Sequence, residues 1–280
     1  MSKMSKSQSA GCAFCGEPWG TGVNKTKEHV LAQWLRDLIG SLPQQRTSSG
    51  KGIQLNDKAD AYINLPLVSK TDPSSIMNMV TREVCQACNN GWMSSLEADA
   101  RPIIERLHAC AASENTLELN PTDARVLARW IHKTALASEL GGREHFGGPA
   151  DRRTIMGGSP LPRSLVWLGR HTSYAGVATA QARIGISDNR IPRPDDEVSN
   201  ASLFILSLQQ LAIAAYLRPG RRPEVPPMPP QEWVRIWPTP TIIEFPPIAD
   251  VDPDTLARLL GHKRTWLPPL SVGSYKNAVI

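Results

Sequence analysis

Apolar side chains in the first half of the chain recur at intervals of three and four residues, the spacing of a helix that buries one face. This pattern predicts helices over three segments, namely 26–40, 92–109 and 120–142. Pro102 lies inside the second segment and is expected to kink it or to begin another helix. In the third segment, Asn120 is expected to cap the first turn and Gly141 to end the helix.

Beyond about residue 150 the pattern changes to short apolar runs separated by proline, glycine and polar residues, which is typical of strands. Six of these runs predict strands: 164–171, 175–187, 202–208, 211–217, 234–238 and 241–246. A further strand is predicted at 62–68 and a last short helix at 252–262, whereas the polar stretch 41–61 indicates a surface loop. Since helices dominate the first part and strands the second, the sequence predicts an α+β fold with a boundary near residue 150.

The composition narrows the class of protein. Of the 280 residues, 41% are hydrophobic and 20% are charged, which is ordinary for a globular protein. A net charge of +5 permits a polyanionic partner without requiring one. Residues 1–10 are polar and lack the apolar segment of a signal peptide, and no run reaches the roughly 18 apolar residues of a membrane span. We therefore expect a disordered tail over residues 1–10 and a cytoplasmic protein with no membrane partner.

Four of the five cysteines form two pairs with the same spacing, Cys12 with Cys15 and Cys85 with Cys88. Two residues between cysteines let both thiolates reach one metal ion from a tight turn, and four thiolates make a tetrahedral structural zinc site. The 69 residues between the pairs exceed the roughly 15–20 of a compact zinc ribbon, so a segment is inserted between them. The alternative is two unrelated pairs of reduced cysteines, because an odd number of cysteines does not favour a disulfide framework.

The inserted segment carries Glu28 and His29, and Asn89 directly follows the second cysteine pair. The order Cys-x-x-Cys, acid-His-aliphatic, Cys-x-x-Cys-Asn resembles the HNH nucleases that have a zinc-supported ββα-metal motif. More narrowly, "TKEHVLAQWL" and "VCQACNNGWMSSLE" look like a bacterial HNH subgroup with EHV-x-x-x-WL and CNNGWMS-x-LE segments. The resemblance covers residues 11–100. It implies that two strands and a helix hold one divalent metal ion, while zinc holds the strands against the helix.

The resemblance also implies a role for each matching residue. His29 matches the general base that deprotonates the attacking water, and Glu28 and Asn89 match the ligands of a catalytic Mg²⁺ or Mn²⁺. These side chains suit that chemistry, because imidazole is a neutral base near pH 7 and carboxylate and amide oxygens suit a hard cation. On this interpretation residues 11–150 form an HNH nuclease domain with a helical extension. Residues 151–280 then form a mainly β accessory domain of unknown role.

The chain departs from the family pattern at two positions. The middle asparagine of the HNH name, which orients the histidine, falls at Val80. Asn78 is the nearest asparagine, and a backbone carbonyl is the alternative partner for His29. Trp92 stands where relatives often have a basic residue. Phosphate contacts are then expected from other basic residues, unless these are ordinary solvated charges, namely Lys25, Lys27 and Arg82.

Two further polar residues near these motifs are not assigned to the site. Glu97 lies eight residues after Asn89 and is expected to face solvent, with the metal side as the alternative. His132 stands beside Lys133 in the third predicted helix, and no neighbouring residue completes a site around it.

The sequence thus predicts a metal-dependent endonuclease acting on nucleic acid, expected to be DNA because the resembling family mostly cuts DNA. One alternative is a non-catalytic, zinc-stabilised module that binds nucleic acid. Another is a partner-binding protein that uses zinc only for folding. The presence of Glu28, His29 and Asn89 argues against the last, because folding by zinc requires none of them. Oligomeric state, sequence specificity and the choice between nicking and double-strand cutting stay open.

Overall fold

A computed structural model of the protein describes residues 10–20, 22–40, 44–49, 53–55, 62–64, 69–72, 76–140, 147–172, 177–185, 200–217, 228–240 and 243–259. Parts of several predicted segments lie outside these ranges. They are residues 1–9 of the disordered tail, 141–142 of a predicted helix including its end at Gly141, 260–262 of the last predicted helix, 41–43, 50–52 and 56–61 of the predicted loop, and 65–68, 175–176, 186–187 and 241–242 of predicted strands.

After residue 86, three helices lie close to the segments predicted as helical, 92–109, 120–142 and 252–262. The helices are α1 (Leu35–Ile39), α2 (Gln86–Cys88), α3 (Ser94–Ala111), α4 (Pro121–Leu140), α5 (Pro149–Met156) and α6 (Pro253–Leu259), with a π-helical turn at Asn89–Met93. The Asn120 cap is confirmed, because its Oδ1 accepts the backbone N–H of Asp123 at 2.8 Å. Pro102 lies inside α3, which continues through it, so no second helix begins there. The buried face of α3 stabilises the helix on both sides of the proline.

The strands of the second half lie where the apolar runs predicted them. In chain order they are β1 (Lys25–His29), β2 (Gln44–Ser49), β3 (Ile53–Leu55), β4 (Tyr62–Asn64), β5 (Ser69–Asp72), β6 (Val80–Cys85), β7 (Leu117–Leu119), β8 (Leu165–Arg170), β9 (Val177–Gly185), β10 (Asn200–Leu208), β11 (Leu211–Leu217), β12 (Trp233–Trp237) and β13 (Ile243–Phe245). The chain therefore has the mixed helix and strand content that the sequence predicted.

The helix predicted over 26–40 is wrong for most of its length. Its first residues form β1, which pairs antiparallel with β6 so that Glu28 lies opposite Thr81 and His29 opposite Val80. Only α1 is helical, and it ends at Gly40, whose φ of 56° is a left-handed conformation that glycine adopts without strain. The apolar residues of this segment are buried as predicted, but a strand, a turn and a short helix bury them.

The predicted surface loop over 41–61 contains two strands, β2 and β3. β2 runs parallel to β9 and antiparallel to β5. The large sheet has seven strands in the order β12-β8-β11-β10-β9-β2-β5, and its other neighbours are antiparallel. A polar composition did not indicate strands here, because pairing with a distant partner decides their conformation.

One apolar core connects the two halves of the chain. α4 packs against α3, β6, β11 and β12, so it contacts both the small β1–β6 ladder and the large sheet. The same cluster includes buried residues from both sides of position 150, such as Phe14, Trp130 and Phe204. The division into two domains at residue 150 stays a prediction. Among the described residues, no helix combines the length and apolar character that crossing a membrane needs.

Candidate metal centre and active site

The two cysteine pairs converge at one end of the β1–β6 ladder. Cys12 and Cys15 lie in the segment before β1, Cys85 ends β6, and Cys88 lies in α2. The four Sγ atoms all lie within 4.8 Å of one another. The convergence that the sequence predicted is confirmed.

The geometry of this cysteine cluster fits a zinc ion. Zinc–sulfur bonds of about 2.3 Å place the sulfurs of a tetrahedral site about 3.8 Å apart, and the Sγ atoms of Cys15 and Cys85 are 3.8 Å apart. Backbone N–H groups of Cys85 and Cys88 donate to the Sγ atoms of Cys12 and Cys85, at 3.3 Å and 3.4 Å. The thiol of Cys88 also donates to Cys12 and lowers its pKa to about 4, against the opposing effect of burial. Four soft donors in this arrangement could hold a metal ion such as zinc.

Asn89 connects the helical segment after the cysteines to β1. Its Nδ2 donates to the Thr26 Oγ1 at 3.2 Å and to the carbonyl oxygen of Lys27 at 3.4 Å. The chain passes from β6 through α2 into the π-helical turn that Asn89 begins, so two paired strands are followed directly by a helical segment. The structure therefore places Asn89 beside the strand that carries the acid–histidine pair.

Glu28 is buried and ion-paired. Its side chain is 5% exposed, and the Nζ of Lys133 lies 2.6 Å from its Oε1. The same Nζ lies 2.7 Å from the Oε1 of Glu97, which is on α3. Burial raises the pKa of Glu28, and the charge of Lys133 opposes that rise. The structure thus brings the carboxyl groups of Glu28 and Glu97 to one ammonium group.

Lys133 and Glu97 are site residues that the sequence interpretation missed. Glu97 was expected to face solvent, and this is wrong, because its partly buried carboxylate accepts a hydrogen bond from Lys133. A signal for Lys133 exists in the sequence. It lies seven residues after Val126 and three after Trp130, so a charged residue occupies the otherwise apolar face of α4.

His29 ends β1 and is half-buried. Burial lowers the pKa of its imidazole, and the nearby positive charge of Arg36 lowers it further. The neutral form is therefore favoured near pH 7. The β1–β6 register has a bulge between Thr26 and Glu28. Glu28 is buried, whereas Lys27 is exposed and His29 is half-buried.

Val80, whose side chain makes no hydrogen bonds, occupies the middle position of the motif that the sequence resembles. Val80 lies opposite His29 in the ladder. The Oδ1 of Asn78 accepts from the Nη2 of Arg36 at 2.7 Å. Within the described part of the chain, no hydrogen bond joins Asn78 to His29, so nothing supports Asn78 as the orienting residue.

Three basic residues border this site, Lys25, Lys27 and Arg82, and all are exposed. The Nζ of Lys25 lies 4.8 Å from the centre of the Trp19 ring, a cation–π distance. The guanidinium of Arg129 lies over the ring of Trp92, 5.4 Å from its centre. A basic side chain thus lies against the residue at position 92, although that residue is itself uncharged.

A cavity of about 690 Å³ opens beside the cysteine cluster. Its lining includes Asn24, Gln86, Asn90 and Gly91, which flank the start of the helical segment. Asn90 is exposed there, so its side chain faces this space.

The chain was compared with known protein families, with curated proteins and with solved structures, and none of the three comparisons gave a match. The arguments for function therefore come from the residues and their geometry.

Proposed function

We propose that this protein is a metal-dependent endonuclease of the HNH type that hydrolyses phosphodiester bonds in nucleic acid, with DNA as the expected substrate. The main support is the contact between Asn89 and β1, next to Glu28 and His29. In this proposal β1, β6 and the helical segment from Gln86 form the ββα-metal motif. The cysteine cluster holds the strands and the helical segment together at the end of the ladder near Cys85.

The proposed ligands of the catalytic metal are Glu28 and Asn89. The Nδ2 of Asn89 is bonded to β1, which leaves Oδ1 as its available oxygen. One carboxylate oxygen of Glu28 is bonded to Lys133, and the second oxygen is the candidate ligand. Both donors are hard oxygens, which suits Mg²⁺ or Mn²⁺. When bound, such an ion supplies positive charge for the phosphate and the leaving oxygen.

His29 is the proposed general base. A neutral ring nitrogen accepts the proton from the water that attacks phosphorus, and the lowered pKa of His29 favours that neutral form. Lys25 and Lys27 lie on the same strand and alternate with less exposed positions, so their charges are available to the phosphate backbone.

One observation favours the non-catalytic alternative, a zinc-stabilised module that binds nucleic acid. The carboxylate of Glu28 is almost fully buried and already paired with Lys133. A carboxylate satisfied in this way can be a structural group instead of a metal ligand.

The deciding experiment is cleavage of plasmid and single-stranded DNA in Mg²⁺ or Mn²⁺ by the wild type and by His29→Ala. Loss of a general base lowers the rate by roughly 10²–10⁴-fold, so we expect His29→Ala to stop detectable cutting. His108→Ala is the matched control, because His108 is also a partly buried histidine but lies near the end of α3.

Zinc content and thermal unfolding are measured on all three proteins so that misfolding is not mistaken for lost catalysis. Cutting that survives in folded, zinc-loaded His29→Ala would contradict the assignment of His29. If the wild type cuts no substrate in any metal but binds DNA by fluorescence anisotropy, the non-catalytic module replaces the nuclease.

A further inference from the structure

Lys133 has a role that the proposed reaction does not explain. It lies near the middle of α4, is fully buried, and donates to carboxylates on two other elements. Glu28 belongs to β1, and Glu97 belongs to α3, which follows Asn89 after a kink at Gly91. One ammonium group thus connects the strand that carries Glu28 with the helix that follows Asn89.

A fold does not need a lysine in this place. Removing a charge from water is unfavourable even when it is paired, and apolar side chains of similar size often stabilise a buried position as well or better. The neighbours of Lys133 on α4, including Trp130, Ile131 and Leu136, are fully buried and would accommodate such a side chain. The ammonium group is therefore better explained by its contacts with Glu28 and Glu97 than by a contribution to the stability of the fold.

We infer that Lys133 is a positioning residue of the active site, an inference that rests on the proposed nuclease function. α4 lies in the core and contacts the large sheet, so it provides a rigid anchor. From that anchor Lys133 fixes the carboxylate of Glu28 and, through Glu97, the docking of α3 and Asn89 against β1. Lys133 is buried and does not touch the substrate; it acts through Glu28 and, by way of Glu97, through Asn89.

The first test is kinetic and uses Lys133→Met, which keeps the length of the side chain without the charge. A misplaced catalytic group costs roughly 100-fold in rate, so we expect kcat at saturating metal to fall by that order. The dissociation constant for DNA should stay within about twofold of the wild-type value, because Lys133 does not touch the substrate. Arg125→Met is the matched control, because Arg125 is a cation on the same helix but is exposed and bonded to Ser159.

A double variant shows whether Lys133 acts through Glu28. In a Glu28→Gln background, adding Lys133→Met should lower the residual rate by clearly less than it lowers the wild-type rate, because coupled residues are not additive. An equally large second loss would overturn the inference, since it would show that Lys133 acts independently of Glu28.

The second test does not depend on cutting. The side-chain amide of Asn89 is bonded to β1, so its hydrogen exchange, followed by NMR, reports the docking of helix against strand. Exchange should be faster in Lys133→Met and unchanged in Arg125→Met. If the wild type does not cut DNA, the nuclease proposal fails, and this exchange rate still decides the positioning role.

Folded, zinc-loaded Lys133→Met with wild-type cutting and wild-type exchange at Asn89 would overturn the inference. If Lys133→Met does not fold, Glu97→Gln decides the question, because it weakens one connection and leaves the Lys133–Glu28 pair. Slower cutting and faster Asn89 exchange in folded Glu97→Gln support the positioning role. Unchanged values for both reject it.

Discussion

Several ionisable residues of this protein lie where water does not reach, and each has a specific partner. His132 is fully buried, and its Nδ1 accepts the backbone N–H of Leu161 at 3.2 Å. Burial lowers the pKa of His132 to about 3. His171 is also buried, with its Nε2 2.9 Å from the Ser207 Oγ, and burial lowers its pKa to about 4. Both imidazoles are therefore neutral in the folded protein and contribute as packed polar groups.

Replacing His132 should weaken the acid sensitivity of the fold. The folded protein excludes the proton until about pH 3, whereas the unfolded chain accepts it near pH 6.5. Stability is thus lost as the pH falls from 6.5 towards 3, by up to about 1.4 kcal/mol per pH unit for one such group. His132→Gln keeps an acceptor for Leu161 and removes this proton. We expect its free energy of unfolding, measured in urea, to fall less steeply than that of the wild type between pH 6 and pH 5.

His108→Gln is the matched control for this prediction. Burial also lowers the pKa of His108, but this histidine is partly exposed, so the change in slope should be smaller. Identical slopes for the wild type and His132→Gln would show that His132 is protonated in the folded protein. Zinc content is checked at each pH, because acid also protonates cysteine ligands.

At the scale of elements, β1 and β6 depend on what surrounds them. A two-stranded ladder alone is marginally stable in water. Here the four cysteines lie together at one end of the ladder, and α4 packs against β6. The position of Asn89 beside β1 therefore depends on the cluster and on the core together.

Breaking the cysteine cluster should weaken zinc binding and destabilise the β1–β6 ladder. We expect Cys88→Ser to bind well under one zinc ion per chain and to unfold at a lower temperature than the wild type, because only three thiolates remain. Cys110→Ser is the control. Its sulfur lies outside the cluster and donates to the carbonyl oxygens of Asn115 and Phe245, a bond that a hydroxyl preserves. Retention of one tightly bound zinc ion by Cys88→Ser would exclude a four-cysteine site.

Local patterns predicted α4 and the strands from β8 to β13, because each of these segments carries an apolar pattern typical of its own element. They failed at β1, where helical spacing of apolar residues was read as a helix. β1 forms because β6, about 50 residues further along the chain, supplies its hydrogen-bond partners. A partner at that distance leaves no trace in the periodicity of the segment itself.

The candidate site was also predictable only in part. The regular spacing of the cysteines was enough to predict that Cys12, Cys15, Cys85 and Cys88 converge, which the structure confirms. The ion pair between Glu28 and Lys133 joins residues 105 positions apart. The local sequence around either residue does not indicate the other as its partner. The roles of Glu28, His29 and Asn89 in catalysis stay predictions.

At the scale of the whole molecule, the cysteine-bearing segment and the large sheet share one core. β2 and β5 come from the segment between β1 and β6, yet they belong to the large sheet. Unfolding of either the cysteine-bearing segment or the large sheet therefore exposes apolar surface of the other.

This arrangement predicts a single unfolding transition in calorimetry. Removing zinc with a chelator should move that whole transition to lower temperature, because ligand binding to the folded state stabilises every part that unfolds with it. Two transitions, of which only one responds to the chelator, would instead establish two independent domains with a division such as that near residue 150. The experiment is repeated at two scan rates to confirm that unfolding is at equilibrium.

The parallel pairing of β2 with β9 also affects how the protein is made. β9 ends at Gly185, well after β2 ends at Ser49. At about 5–20 residues per second, a ribosome needs roughly 7–27 s to cover that distance. During this time the stretch between β1 and β6 lacks its neighbour in the sheet, and Lys133 also reaches Glu28 late. A growing chain therefore cannot complete the candidate site before α4 has been made.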